Sequence, residues 1–267
     1  MKKITSVLFL FYCFSVGWAQ TVPPCTLEIT DAETFARDWT VIDVNSNVSA
    51  NTWAYNDGNA MYTQDKSNAA DDWLIAPAVT LEAGKAYKVS AYVKHSSTFG
   101  SDKQKIELKI GTAPTVEGLT TRLVYDESFQ SRLFVEKSGT FSPAESGVFY
   151  VGLRCYSGSY MGDLYFQKIV IEEAPVYPVQ ITDLSIVAGE RGAMSATLSW
   201  TWPSSDHLGG ALSNLLGAKI YRGTDLVATL DTATVGGKAG WIDSSIETAG
   251  NYTYKVVAYN TFGDSQG

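Results

Sequence analysis

The clearest arrangement of chemistry-bearing side chains in this sequence is a short run of oxygen ligands. The stretch DVNSN places Asp43, Asn45 and Asn47 at the spacing that opens a calcium-binding loop. Val48 stands where that loop requires glycine, and Ala54 stands where it requires a bidentate glutamate. The pattern excludes an EF-hand but keeps Asp43 as a candidate calcium ligand. The alternative is a turn in which these side chains bond to their own backbone.

Four tyrosines in polar segments form a second group of candidates. Tyr55 and Tyr62 lie in a stretch rich in Gly and Asn, and Tyr156 and Tyr160 flank an SGS stretch. An aromatic ring beside Asn, Asp and Gly suits a sugar, which has a flat apolar face and polar edges, and it also suits a protein epitope. The sequence therefore predicts ligand contact at these four rings. The alternative is that they cap a hydrophobic core.

The sequence is expected to lack residue patterns that support catalysis. His95 and His207 lie in Ser-rich and Gly-rich stretches without a partner at metal-ligand spacing, so both are predicted to be solvated loop residues. Adjacent carboxylates such as Asp71 and Asp72 point to opposite faces of a strand, and they therefore cannot flank one glycosidic bond. We predict that this chain is not an enzyme.

The N-terminal residues have the pattern of an export signal. Lys2 and Lys3 precede an apolar run at 4–16, and Gly17-Trp18-Ala19 supplies the small residues that a signal peptidase reads. Residues 1–19 are therefore predicted to be a signal peptide. The protein is expected at the cell surface or outside the cell, with the periplasm as the alternative.

Charge narrows the choice of partner. The chain has 28 acidic and 20 basic side chains, and its formal net charge is −8. Binding to phosphates requires a basic footprint, so a nucleic-acid partner is excluded. No stretch after the signal peptide is apolar enough to cross a membrane.

Hydrophobic alternation predicts the elements that must position these side chains. Apolar residues recur with period two over 87–94, 105–110 and 149–154, and turn residues separate these runs. Over 164–171 the parity changes at Gln167-Lys168, which predicts a β-bulge. Aromatic residues are abundant and long helical patterns are missing, so the fold class is predicted to be all-β.

The chain changes character after the stiff segment APVYP at 174–178, which is predicted to be a linker. The stretch SATLSWTW then places Leu198, Trp200 and Trp202 on one face of a strand. Residues 179–267 are predicted to form an immunoglobulin-like sandwich that lacks its last strand, and further domains are therefore expected downstream.

Spaced motifs relate both halves to known families. ADDWLIAPAVTLEAGKAYKVSAYVK, GVFYVGLRCYS and LYFQKIVIEE resemble the cleaved-adhesin, or choice-of-anchor J, domain of secreted Bacteroidota proteins. This resemblance covers residues 25–173 and implies a MAM-like jelly-roll β-sandwich. LSWTWP, GAKIYRG and YTYKVVAYN make residues 179–267 similar to a fibronectin type III domain. The resemblances imply non-catalytic adhesion to a glycan or to a host or matrix protein. The alternative is the targeting region of a larger secreted peptidase or glycan-degrading enzyme.

The resemblance also bears on the metal question. Related jelly rolls hold a structural calcium ion with an acid near the first strand and an aspartate on the last. By this likeness Glu28 is a second candidate calcium ligand beside Asp43. On the last strand, Gln167 and Lys168 stand where family members commonly have acidic residues, and a lysine would repel the ion.

Two cysteines remain after the signal peptide, Cys25 and Cys155. Export permits a disulfide between them. The alternative is two buried free thiols, because a sequence alone does not place two Cα atoms within bonding distance.

Overall fold

The computed structural model describes residues 21–46, 51–97, 100–212 and 214–265. The predicted signal peptide, Asn47 and Val48 lie outside these described residues. Nearly all regular structure in the described part is antiparallel β, which confirms the predicted fold class. No helix in this part of the chain has the length and apolarity needed to span a membrane.

The first half forms a β-sandwich of two six-stranded sheets around one core. The elements are β1 (Cys25–Glu28), α1 (Ala32–Asp38), β2 (Thr40–Asp43), β3 (Trp53–Asn56), β4 (Asn59–Tyr62), β5 (Asp72–Ile75), β6 (Val79–Leu81), β7 (Tyr87–His95), β8 (Gln104–Gly111), β9 (Thr121–Phe129), β10 (Val135–Phe141), β11 (Gly147–Cys155) and β12 (Leu164–Glu173). One sheet has the order β10-β7-β12-β4-β3, with β1 also pairing β12, and the other has the order β2-β5-β11-β8-β9, with β6 also pairing β11.

Strand β7 illustrates why the sheets pack as they do. Val89, Ala91 and Val93 point inward and are completely buried, whereas Lys88 and Lys94 lie on the outer face. Burial of each large aliphatic side chain contributes about 1.5–3 kcal/mol, so the alternation in the sequence selects this face for the core.

Strand β12 contains the predicted bulge. Its register against β7 shifts between Phe166 and Lys168. The shift keeps Phe166 and Ile169 in the core although they have opposite parity in the sequence.

Helix α1 was not predicted from the sequence. It begins after Asp31, whose carboxylate accepts a hydrogen bond from the backbone N of Thr34 at 2.7 Å. This cap lowers the pKa of Asp31 to about 2. Phe35 is buried on the inner side of the helix, and Trp39 packs edge to face on Phe166 with ring centroids 5.2 Å apart.

The second half forms a smaller sandwich with its own core. The elements are β13 (Ser185–Ala188), η1 (Glu190–Gly192), β14 (Ala196–Thr201), β15 (Gly217–Arg222), β16 (Asp225–Leu230), β17 (Lys238–Asp243) and β18 (Tyr254–Tyr259). Sheet β13-β14-β17 faces sheet β16-β15-β18. Leu198, Trp200 and Trp202 are buried together as predicted.

A buried carboxylate joins the two sheets of this second sandwich. Asp243 on β17 accepts hydrogen bonds from Arg222 on β15 at 2.8 Å and from Tyr254 on β18 at 2.7 Å. Ser245 donates two further bonds to the same carboxylate. These donors and the Arg222 charge lower the pKa of Asp243 against the opposing effect of its burial, which is the largest single influence. The carboxylate therefore stays charged in the core.

The segment 174–178 is hydrogen-bonded on both sides. The backbone N of Ala174 donates to the carbonyl of Ala86 in the first half. The Asn260 amide donates to the carbonyl of Val176, and the exposed His207 accepts from the backbone N of Tyr177 through Nδ1. These bonds anchor the segment along its length.

Gly111, at the end of β8, is expected not to tolerate a side chain. A Cβ there would lie 1.8 Å from the carbonyl oxygen of Gly118, which is backbone and cannot rotate away. We expect Gly111→Ala to lower the free energy of unfolding by about 1–3 kcal/mol in urea denaturation. Gly147→Ala is the matched control in the same sheet, because its Cβ would meet nothing within 4 Å. Equal stability of the two variants would contradict this packing.

Candidate functional site

The outer face of the second sheet collects charged and aromatic side chains in register. Strand pairing aligns Trp73, Arg154, Glu107 and Tyr125 in one row across four strands. Because side chains alternate along a strand, residues two positions away on β5, β8 and β11 share this face. A register shift between β8 and β9 places Arg122 opposite Lys109, so Arg122 also belongs to it. We call this surface the charged aromatic face; its members are Asp71, Trp73, Lys105, Glu107, Lys109, Arg122, Tyr125, Glu127, Arg154 and Tyr156.

Glu107 is the electrostatic centre of the face. Its side chain is only 6% exposed, and its carboxylate lies 3.3 Å from Arg122, 3.5 Å from Arg154 and 3.6 Å from Lys109. A buried carboxylate is costly without compensating charge, so Glu107 draws these three cations together. The positions of the three cations are therefore set before any ligand arrives.

Arg154 is held in place from a second side. Its Nε and one terminal nitrogen donate to the two oxygens of Asp71 at 2.7 and 2.8 Å. This bidentate pair, followed by the Glu107 charge, raises the pKa of Arg154 against the effect of desolvation. Asp71 and Asp72 do point to opposite faces, as the sequence predicted, because Asp72 is buried in the sandwich.

Two tyrosines form a platform beside these charges. The rings of Tyr125 and Tyr156 are stacked, with centroids 5.9 Å apart and planes 24° from parallel. The guanidinium of Arg122 lies 4.8 Å from the Tyr125 centroid, and that of Arg154 lies 5.1 Å from the Tyr156 centroid. Tyr125 is 50% exposed, so its ring is available to a partner. Desolvation by burial raises the pKa of Tyr156, which keeps its hydroxyl neutral.

Trp73 supports the face from beneath. It is almost completely buried, but it belongs to a small cluster with Ile75 and Leu119 on the outer side of the sheet, apart from the main core. Lys109 and Arg154 lie 5.5 and 5.7 Å from its ring centroids. The tryptophan thus positions the cations and does not itself meet solvent.

Tyr160 projects from the loop after β11. It is 61% exposed and has a left-handed backbone with φ 62°, a conformation that few residues other than glycine adopt. Its backbone N donates to the carbonyl of Asp65 at 2.7 Å. Gln104 donates to the carbonyl of Gly162 at 2.6 Å, and the backbone N of Gly162 donates to Gln64 at 2.9 Å. The loop is therefore fixed, and Tyr160 is held out into solvent.

The prediction that His95 is a solvated loop residue is wrong. His95 is the last residue of β7, is only 1% exposed, and bonds through Nε2 to the carbonyl of Met161 at 2.5 Å. Gly162 beside it has φ 82°, and a Cβ there would lie 2.6 Å from His95 Nε2. His95 therefore anchors the loop that presents Tyr160.

The other two predicted tyrosines do not join this site. Tyr62 is 2% exposed and packs edge to face on Trp53 with centroids 6.1 Å apart. A ring that is closed off from solvent does not contact a ligand. Tyr62 is therefore a core residue, in agreement with the alternative to ligand contact. Tyr55 is half-buried on β3 of the other sheet and packs against the main core.

The candidate calcium ligands are also separated. Asp43 ends β2 of the second sheet, and its Oδ1 accepts from the backbone N of Ser46 at 2.8 Å, as in the alternative of a self-bonded turn. Glu28 lies on β1 of the first sheet, opposite Lys168 at 3.9 Å. Among the described residues, no three His, Cys, Asp or Glu side chains form a cluster that could hold a metal ion.

Of the two states that the sequence left open for the cysteines, the structure has the free thiols and not the disulfide. Cys25 is half-buried on β1 of the first sheet, whereas Cys155 is fully buried on β11 of the second. The Cys155 thiol lies 3.4 Å from Gln104 Oε1, to which it donates. Burial raises the pKa of Cys155 to about 12 and also raises the pKa of Cys25.

These environments predict different thiol reactivities, because a buried thiol with a raised pKa forms little thiolate. In protein that starts at Gln20, we expect Ellman's reagent to modify Cys25 slowly and Cys155 only after unfolding. The Cys25→Ser variant assigns the two phases. Absence of any reactive thiol in non-reducing denaturant would demonstrate a disulfide and contradict the structure.

Asp72 makes stability depend on pH. Burial, and then the charges of Asp43 and Asp71, raise its pKa from 3.8 to about 6. The folded state then holds a proton that the unfolded state has already lost, so Asp72 lowers stability as pH rises from about 4 to 6. We expect the Asp72→Asn variant to lack this decrease, which amounts to about 3 kcal/mol at most. Urea titrations of both proteins at pH 4, 5, 6 and 7 measure it, and parallel curves would refute the assignment.

The expectation that the sequence lacks any pattern of catalysis is wrong in one place. GDSQG at 263–267 has the letters of a hydrolase nucleophile elbow. Ser265 is buried, follows an antiparallel bridge between Tyr259 and Asp264, and donates its backbone N to the carbonyl of Ala258. An elbow requires an exposed serine after a strand of an α/β sheet, so this setting does not match.

Fold and site together define an all-β sandwich protein with a pre-ordered, exposed polar-aromatic face. No protein-family model matches the chain, and no curated protein is significantly similar to it.

Solved structures do show likeness. The K3 cleaved adhesin domain of Lys-gingipain from Porphyromonas gingivalis W83 is 11% identical, with 54% of this chain and 97% of that one covered and a TM-score of 0.42. The K1 cleaved adhesin domain of the same protein is 15% identical, with 56% and 99% covered and a TM-score of 0.39. A CBM4 structure is 15% identical, with 56% and 94% covered and a TM-score of 0.39. At these TM-scores, the likeness does not decide what this chain binds.

Proposed function

We propose that this chain is a non-catalytic binding module that recognises a glycan through its charged aromatic face. The observation that carries the proposal is the Tyr125–Tyr156 platform, bordered by the Asp71–Arg154 pair. A sugar ring has an apolar C–H face that packs on an aromatic ring. Its hydroxyl groups both donate and accept hydrogen bonds, and Asp71 and Arg154 provide an acceptor and donors side by side.

Pre-organisation favours affinity at this face. Arg122 and Arg154 are already held by Glu107 and by the tyrosine rings, so a ligand orders few side chains when it binds. Each rotamer-rich side chain that needs no ordering saves about 0.5–1.5 kcal/mol. Tyr160, exposed on its fixed loop four residues after Tyr156, is proposed as an additional ligand contact.

A protein ligand is the second candidate. Exposed tyrosine and arginine side chains are also the residue types that dominate protein interfaces, and Arg122 and Tyr125 are both at least half exposed. A role as the targeting region of a larger secreted enzyme would use the same face. We further propose that residues 25–173 form the binding domain, that 174–178 link it to a fibronectin type III-like spacer at 179–267, and that the protein acts at the cell surface or outside the cell.

Removal of the platform tests the glycan assignment. We expect the Tyr125→Ala/Tyr156→Ala variant to lose at least tenfold in affinity for its best ligand on a glycan array, which corresponds to about 1.4 kcal/mol. The matched control is Tyr252→Ala, which removes a 38% exposed tyrosine from the second sandwich and should leave binding unchanged.

Thermal unfolding and isothermal titration calorimetry accompany each variant, so that loss of fold is not read as loss of binding. A parallel matrix-protein array distinguishes the second candidate. Binding to matrix proteins alone, with dependence on Tyr125 and Tyr156, would replace the glycan by a protein ligand. No binding on either array by the folded protein would refute the proposed function.

A further inference from the structure

The opposite side of the first sandwich presents a different row of side chains. On the outer face of the first sheet, Lys94 lies opposite Tyr165, and Tyr165 lies opposite Met61. Phe134 directly precedes β10, the strand on the other side of β7, and its ring also contacts Lys94. We call Phe134, Lys94, Tyr165 and Met61 the lysine–aromatic row. All four are half-buried, so each still presents atoms to solvent.

Lys94 lies between two rings. Its ammonium is 4.5 Å from the centroid of Tyr165 and 4.9 Å from that of Phe134. Each ring attracts the cation through its quadrupole but carries no net charge. The two contacts therefore fix the position of the ammonium and leave its charge uncompensated.

The neighbouring lysines of the same face are compensated. Lys88, on the same strand, lies 2.5 Å from the Glu136 carboxylate, and Lys168 lies 3.9 Å from that of Glu28. In the described part of the chain, no carboxylate oxygen comes within 4.0 Å of Lys94. Lys94 is thus a pre-positioned single positive charge on a protein whose net charge is −8.

The row continues into apolar surface at its edge. Leu133, next to Phe134, is 77% exposed. The Ser131 hydroxyl donates to the carbonyl of Leu133, and the backbone N of His95 donates to the carbonyl of Ser131. These hydrogen bonds hold the β9–β10 connection against the end of β7. Leu133 and Phe134 therefore lie on a connection whose backbone position is fixed.

We propose that the lysine–aromatic row is a second binding site, and that it takes an acidic saccharide. A carboxylate or sulfate oxygen of the sugar would bind the Lys94 ammonium, and the apolar ring face would pack on Tyr165 and Phe134. An ammonium that is already partly desolvated by two rings loses less hydration when an anion approaches. The site is separate from the charged aromatic face, because it lies on the other sheet of the sandwich.

The side chains around the lysine–aromatic row favour a ligand that carries few negative charges. In the next row, Glu136 and Glu28 already pair with Lys88 and Lys168, so that row offers a dense polyanion such as a nucleic acid no further uncompensated cation. A saccharide with one acidic group opposite Lys94 meets one cation and two rings without facing these carboxylates. The local charge therefore complements isolated acidic sugars.

We test this site by isothermal titration calorimetry of protein that starts at Gln20, with three oligosaccharides of equal length. The probes are oligogalacturonate, its neutral methyl ester and a sulfated oligogalactan. We expect an acidic probe to bind and the methyl ester to bind at least tenfold more weakly. Binding of the carboxylated probe, the sulfated probe or both identifies which acidic group the site accepts. We also expect binding to weaken as NaCl rises from 50 to 500 mM, because salt screens the Lys94 charge.

Matched variants locate the binding. Lys94→Gln should weaken acidic-probe binding at least tenfold, whereas Lys88→Gln, which removes a compensated lysine from the same strand and face, should not. Lys94→Arg should retain most of the affinity because it keeps the charge. Tyr125→Ala/Tyr156→Ala should bind the acidic probe normally, which separates this site from the proposed function.

Three results would overturn the proposal. They are equal losses in Lys94→Gln and Lys88→Gln, equal binding of the methyl ester, and no acidic-probe binding by a protein that thermal unfolding shows to be folded. Poly-glutamate is the additional probe. Poly-glutamate could bind as tightly as the acidic sugars or more tightly, and this binding could depend on Lys94. That result would assign the lysine–aromatic row to an acidic protein ligand and refute the proposal of a saccharide ligand.

Discussion

The pairing of β11 with β5 on one side and β8 on the other determines the geometry of the first sandwich. In this register Leu153 enters the core while Arg154 reaches Asp71 and Glu107 on the outer face. A slip of one residue would exchange the two faces, burying Arg154 and exposing Leu153. The core and the candidate binding face therefore depend on the same set of backbone hydrogen bonds, and hydrophobic burial specifies both.

The two outer faces use positive charge in different ways. On the second sheet, Glu107 gathers three cations, and the result is a nearly neutral, rigid surface with hydrogen-bonding groups of both kinds. On the first sheet, Lys94 is positioned by two rings and keeps its charge. One surface suits a neutral polar ligand with an apolar face, and the other suits a ligand that carries an isolated anion. A two-sheet β-sandwich has room for both, because each sheet turns every second side chain of its strands to its own outer face.

Sequence patterns predicted the elements better than the sites. Alternation identified β7, β8 and β11, and the change of parity identified the bulge of β12, since both follow from side-chain period alone. Helix α1 was missed because its seven residues are too short to show a helical period. Tyr125 was missed because β9 pairs irregularly with β8, so its sequence shows no clean alternation. A buried anchor such as His95 lies among serines that read as a solvated loop.

The sequence by itself determined the fold class, the faces of the regular strands and the opposite directions of Asp71 and Asp72, because these depend on local periodicity. Only the tertiary structure decided which distant side chains meet. Asp71 and Arg154 are 83 positions apart, and Lys94 meets Phe134 and Tyr165 only after three strands have paired. Strand order and register are set by the packing of the whole core, and no local pattern records them. For the same reason Tyr62 lies in the core and the half-buried Tyr156 lies on the outer face, although both are next to polar, glycine-containing segments.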